Sequence, residues 1–182
     1  MWAGAPVKLG RMIDAVPEAL IAQKNYQTLS SAEADLALAT PMVRQFVEVK
    51  RQYPGILLFY RMGDFYETFL EDALTAARLL EITLTGRDAG KLGKIPMAGV
   101  PVKAAEGYLS RLLELNVKVA ICEQMEDPAE AKGLVERQVV RVLSPGTVTE
   151  ATHLKADEPN WLAAVWLPKG GLRFEAGACG LA

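Results

Sequence analysis

The sequence predicts a mixed α/β fold, a β-sheet with helices on its faces. Apolar runs rich in β-favouring residues alternate with segments of helical periodicity, and Pro-Gly or single-Gly breaks separate them. The run Ile56–Met62 is apolar almost throughout, as a strand covered on both sides requires. With 51% apolar residues in 182, the chain has ample material for a buried core.

Residues 1–39 carry Gly and Pro early and then an Ala-rich stretch without a sustained apolar face, which reads as a poorly ordered extension. Thr40-Pro41 is a helix start, with threonine as cap and proline at the first helical position. Met42, Phe46 and Val49 mark the apolar face of that helix up to Tyr53, and Pro54-Gly55 stops it. The strand Ile56–Met62 is broken by Gly63, and Phe65–Phe69 is a short extended segment. Ala73, Ala76, Ala77, Leu79 and Leu80 favour a helix, Ile82–Thr85 alternates like a strand, and a loop runs from Gly86 to Lys94. Met97–Val100 is a short strand. Pro101 opens a helix with a buried stripe of Tyr108, Leu109, Leu112 and Leu113, ended by Asn116. Val117–Cys122 and Val135–Leu143 are two further strands, joined by the acidic connector Glu126–Lys132. The domain thus spans 40–150. Residues 151–159 read as an interdomain linker, and 160–182 as two strands joined by Lys169-Gly170-Gly171, the opening hairpin of a second, truncated domain.

Composition excludes several classes. The longest apolar runs, Ile56–Tyr60 and Leu162–Leu167, are far short of the roughly 20 residues that span a bilayer. Asp14, Pro17 and Glu18 interrupt the amino terminus, which is not the core of a secretory signal, so a cytoplasmic location is expected. Cys122 and Cys179 lie in apolar contexts without Cys or His at metal-ligand spacing, which points to reduced thiols and no metal site. The formal net charge is −2, and residues 40–150 hold 14 Lys plus Arg against 15 Asp plus Glu. Any attraction to nucleic acid is therefore local. One cationic stretch exists, where Arg87, Lys91, Lys94 and Lys103 face only Asp88.

The segment Phe59-Tyr60-Arg61-Met62-Gly63-Asp64-Phe65-Tyr66-Glu67 carries the most chemistry. In extended backbone Phe65 and Glu67 share one face. An aromatic ring stacks on a base while a carboxyl reads its edge, a pairing suited to a nucleobase. The competing reading is that Phe65 and Tyr66 fill a core in a structural or protein-interaction module. An enzyme reading rests on Glu48-Val49-Lys50, which echoes the Glu-x-Lys of metal-dependent nucleases, with Asp64 and Glu67 as paired carboxylates. Glu48 and Lys50, however, fall on the first helix and not on a strand feeding a metal pocket. Gly86-Arg87-Asp88-Ala89-Gly90-Lys91-Leu92 fails as a phosphate loop of ATPases, with one residue too few between its glycines and Leu92 where Ser or Thr is needed. His153 is the sole histidine and lies in the linker, so no Ser-His or Cys-His system is available in the domain.

Four motifs occur together: FYRMGDFYE at Phe59–Glu67, IPMAGVP at Ile95–Pro101, VAICEQ at Val119–Gln124 and RVLSPGT at Arg141–Thr147. In order and spacing, from about Thr40 to Glu150, they resemble the amino-terminal mismatch-recognition domain of the bacterial MutS family. The resemblance implies that Phe65 is a wedge probing mispaired or unpaired bases in duplex DNA and that Glu67 is its hydrogen-bonding partner. It implies backbone or groove contacts for Arg87 and Met97, weaker ones for Lys94 and Lys103, and support of the wedge by Met62 and Tyr66. It further implies that the chain is a fragment with no catalytic residue and no cofactor of its own. The family's ATP and Mg sites, its homodimer contacts and its downstream mismatch repair partners lie elsewhere, and residues 160–182 would open its connector domain. One departure stands out: Val102-Lys103 occupies the place of the family's Tyr-His, so side-chain roles at those two positions do not carry over.

Overall fold

A computed structural model describes residues 26, 27, 29–127, 131 and 133–145. The linker and hairpin expected at 151–182 lie outside the described residues, as does Cys179. The elements in order are helix α1 (Pro41–Gln52), strands β1 (Leu57–Met62) and β2 (Phe65–Phe69), helix α2 (Leu70–Leu80), strands β3 (Thr85–Asp88) and β4 (Lys94–Pro101), a 3-10 turn (Val102–Ala104), helix α3 (Ala105–Glu114), and strands β5 (Val119–Gln124) and β6 (Arg137–Leu143). The strands form one mixed sheet in the order β3-β4-β2-β1-β5-β6. Only the central β1–β5 pair is parallel; the other four ladders are antiparallel.

Each face of the sheet is buried for a local reason. In α1, Val43, Phe46, Val47 and Lys50 are buried at i, i+3, i+4 and i+7. This stripe covers Leu58, Tyr60, Phe69, Ile95, Ala120 and Cys122 on one face of the sheet. Phe46 meets the rings of Tyr60 and Phe69 edge-on, with centroids 5.5 and 4.9 Å away. Across the sheet, Leu57, Phe59, Tyr66, Val100, Val119 and Ile121 pack against Ala76 and Leu80 of α2 and Leu109, Leu112 and Leu113 of α3. Strand β1 is buried on both sides from Leu57 to Tyr60, as its unbroken apolar run predicts.

The structure corrects several expectations. The strand expected at Ile82–Thr85 lies instead at Thr85–Asp88, sharing Thr85 and running on into the expected loop; Thr-Gly-Arg-Asp has no apolar signature because it is a sheet edge held by backbone pairing to β4. Strand β4 is longer than Met97–Val100, and Pro101 ends it instead of opening the helix. The last two strands begin at Val119 and Arg137, two residues later than expected in each case. Thr40 sits at the α1 cap position without a side-chain cap bond. The apolar face assigned to Met42, Phe46 and Val49 is centred on Val43, Phe46 and Val47. Finally, residues 29–39 are not a loose extension. Ser31 donates to Glu71 through its backbone N–H (2.8 Å) and hydroxyl (2.5 Å), Arg51 donates to the carbonyls of Ser31 and Ala34, and Ala39 bridges Gly90 at the tip of the β3–β4 hairpin.

Candidate nucleic-acid interface

The β1–β2 hairpin closes through a two-residue turn, Gly63-Asp64, between the paired residues Met62 and Phe65. Gly63 has φ +59° at the first turn position, where only glycine is unstrained. The turn is pinned on both sides: Arg61 Nε donates to the Gly63 carbonyl, Gly63 N–H donates to Gln124 Oε1 (3.3 Å), and Val102 N–H donates to the Asp64 carbonyl (2.9 Å). Phe65 is therefore the first residue of β2, clamped between Met62 of β1 and Pro101 of β4. It is 47% exposed. This disposes of the core reading for Phe65, since a filler ring would be covered.

Glu67 lies two residues on and on the same face, paired with Tyr60 and Gly99. Gly99 leaves room for it; a Cβ there would stand 3.3 Å from the Tyr66 carbonyl oxygen and 3.5 Å from Glu67 Cγ. The Glu67 side chain is only 16% exposed, and Arg87 Nη1 donates to its Oε2 at 3.3 Å. Burial pushes the Glu67 carboxyl above the ordinary carboxylate range, and the Arg87 and Arg137 guanidinium groups pull against that shift. This face of the sheet thus presents an exposed ring and a desolvated carboxyl on β2, with a half-exposed cation reaching across from β3.

The remaining predicted residues divide. Met62 and Met97 lie on the face of Phe65 and Glu67, partly buried at the margin of the α1 core. Tyr66 does not. It points to the opposite face, buried and stacked on Phe59 with centroids 5.8 Å apart, and its hydroxyl donates to Glu123. Its role is to hold β2 from behind, not to line a groove. Lys94 is also on the opposite face, with Nζ 5.6 Å from the centroid of the Tyr26 ring. Lys103 is exposed on the 3-10 turn, two residues past Pro101, at the other end of β4 from Arg87. The expected cationic cluster is therefore dispersed.

The nuclease constellation is not assembled. Glu48 is exposed on α1, while Lys50 is buried against Asp72 at 2.8 Å. Among the described residues no group of three or more His, Cys, Asp or Glu could hold a metal ion, and no helix is long and apolar enough to cross a membrane.

Sequence reasoning missed Arg137, which lies under the site with 8% exposure. Its Nε donates to the Arg61 carbonyl (2.8 Å), Nη1 to Gln45 Oε1 and the Val135 carbonyl (both 3.0 Å), and Nη2 to Met62 Sδ (3.2 Å). A signal existed: in Val135-Glu136-Arg137-Gln138-Val139 the arginine takes the same alternate positions as the apolar residues, so period-2 reading turns it inward.

A family model described as MutS domain I matches residues 40–152. The DNA mismatch repair protein MutS of Syntrophobacter fumaroxidans is 57% identical over 135 residues, which is 74% of this chain and 15% of that protein. Its counterpart in Symbiobacterium thermophilum is 58% identical over 132 residues, covering 72% of this chain and 15% of the relative. That of Pelotomaculum thermopropionicum is 56% identical over 124 residues, 68% and 14%. The chain spans about 15% of the length of the curated relatives it matches.

Proposed function

The chain belongs to the MutS family through its domain I, and we propose from that membership that it recognises mismatches in duplex DNA, with Phe65 as the probing wedge and Glu67 as its hydrogen-bonding partner. The observation that carries the reading is the 47% exposure of Phe65 on a rigid hairpin, with the half-buried Glu67 on the same face. Mispaired bases stack poorly and bend easily, so a protein that kinks every site it tests finds them cheapest to deform. The ring enters from the minor groove and stacks on one base of the mispair, offsetting part of an unstacking cost of a few kcal/mol. The desolvated Glu67 carboxyl, already shifted toward its neutral form, donates a hydrogen bond to that base where an ionised carboxylate would repel acceptors and phosphates. Arg87 contacts the DNA backbone, and Met97 the groove.

The ligand on this reading is double-stranded DNA with mispaired or unpaired bases. On this reading a second copy of the parent protein pairs with the first so that two such domains clamp the DNA, downstream mismatch repair proteins act on the result, and the setting is the cytoplasm at the nucleoid. The test is affinity for a G·T or one-base-loop duplex against a matched duplex, at stated salt. Tighter binding of the mispaired duplex is the expected result; equal affinity would overturn mismatch recognition, and no affinity for either would favour a structural module that does not bind DNA.

A further inference from the structure

Arg137 is a buried cation with no acidic partner: it joins none of the ion pairs among the described residues. Leaving a buried charge without a counter-ion is costly, and structures keep such an arrangement where the charge is used. Here the guanidinium is solvated by two carbonyls, the Gln45 amide oxygen and a thioether, and it lies over the Tyr60 ring at 5.0 Å. Those contacts join α1 through Gln45, the approach to β6 through Val135, and the last two residues of β1, Arg61 and Met62. Met62 is the cross-strand neighbour of Phe65, and Tyr60 that of Glu67.

We propose that Arg137 is a positioning residue for mismatch probing: its fork pins the Arg61–Met62 end of β1 under Phe65, and its unneutralised charge acts on Glu67. The inference rests on the function proposed above. Apart from Glu67, the groups that share its surroundings leave the charge unopposed. Burial pushes the Tyr60 phenol well up and the Cys122 thiol up to about 12, so both stay neutral, and Gln45 of α1 carries no charge. Glu67 itself faces two cations, Arg87 from β3 and Arg137 from β6, both of which favour its ionised form. Arg137 thereby limits how readily Glu67 takes up a proton.

Three variants of the intact protein test this, each titrated with one mismatched and one matched duplex across the pH range where carboxylates ionise, alongside a thermal melt. Arg137→Gln removes charge and fork together: the pH midpoint of mismatch binding moves up, because Glu67 keeps its proton to higher pH, and the mismatch-to-matched ratio falls several-fold. Arg137→Lys keeps the charge and loses the fork, so the midpoint stays near wild type while the ratio falls. Gln45→Glu leaves Arg137 in place but neutralises it, so the midpoint moves up with the ratio largely kept. By giving the buried cation a partner, Gln45→Glu also provides a folded variant should Arg137→Gln not fold. A lowered melting temperature with midpoint and ratio both unchanged would make Arg137 a purely structural residue and overturn the inference. A wild-type protein without mismatch preference would instead sink the functional reading, and this inference with it.

Discussion

Arg87 Nη1 stands 3.3 Å from Glu67 Oε2, so the carboxylate that shares a sheet face with Phe65 is paired with a cation in the folded protein. The Arg87 side chain is 37% exposed and that of Glu67 16%, so water reaches the pair from the Arg87 side. On the function proposed above, Arg87 is the group that would leave the carboxylate for a DNA phosphate. That exchange would remove a counter-charge from Glu67 and favour the neutral form proposed to hydrogen-bond a base.

Arg87→Ala is expected to weaken binding to matched and mismatched duplexes by similar factors and to lower the salt slope by about 1, the signature of one lost phosphate contact. Without Arg87 the Glu67 carboxyl shifts further up, so mismatch binding should persist to higher pH than in wild type. A salt series at two pH values measures both. An unchanged slope with loss confined to the mismatched duplex would make Arg87 a reader of bases.

Phe65→Ala should nearly abolish mismatch discrimination while leaving the fold intact. Stacking of one aromatic on a base is worth ~1–3 kcal/mol, whereas truncating a buried Phe costs ~3–5 kcal/mol of stability. Because Phe65 is 47% exposed, the melting temperature should move little. Early melting with discrimination retained would contradict both the exposure and the role.

Glu67→Gln keeps the shape and supplies a donor without a proton to take up. Mismatch affinity should hold or improve, matched affinity should rise because a negative charge near phosphates is gone, and discrimination should fall. The sign of the pH effect follows from burial raising the Glu67 carboxyl above its unfolded value of roughly 4.3. Its contribution to stability is complete below that value and is lost as pH rises through the folded one, and binding that needs the neutral form strengthens in the same acid direction. Glu67→Gln should flatten the pH profile of mismatch binding. Superimposable wild-type and variant profiles would mean that Glu67 works as an ionised acceptor.

The frame under the site depends on Lys50, whose Nζ lies 2.8 Å from Asp72 Oδ1 and 2.5 Å from the Ile56 carbonyl, while Asp72 Oδ2 accepts the Leu58 N–H at 2.9 Å. This joins α1, β1 and α2. Lys50→Met removes one partner of a buried pair and should cost ~3–5 kcal/mol of stability. Burial already raises the Asp72 carboxyl to about 6 against the pull of Lys50. Without that pull it rises further, so the variant should be most stable in acid and lose stability as pH climbs from the unfolded value of roughly 3.9 to above 6. Denaturant melts at two pH values check this; a pH-independent loss would place the cost in packing alone.

What the sequence by itself determined is what depends on near neighbours. The unbroken apolar run of β1, the Gly63 break and the shared face of Phe65 and Glu67 follow from backbone period and glycine's freedom, and each is written in the sequence. The inward turn of Arg137 was legible in principle, hidden in an apolar register where a charge is unexpected. Tertiary structure alone decided the rest. Strand β3 has no apolar signal because its order comes from pairing with β4, and that pairing is what moves Arg87 from a supposed loop to a strand in reach of Glu67. Lys94 and Tyr66 went to the far face because each is one residue out of phase with the site, a parity that only a settled register fixes. Residues 29–39 joined the fold through backbone hydrogen bonds and the Ser31, Glu71 and Arg51 contacts, none of which leaves a periodic trace. Short-range order is written in spacing and residue type; long-range order depends on which surfaces meet, and for that the chain must close.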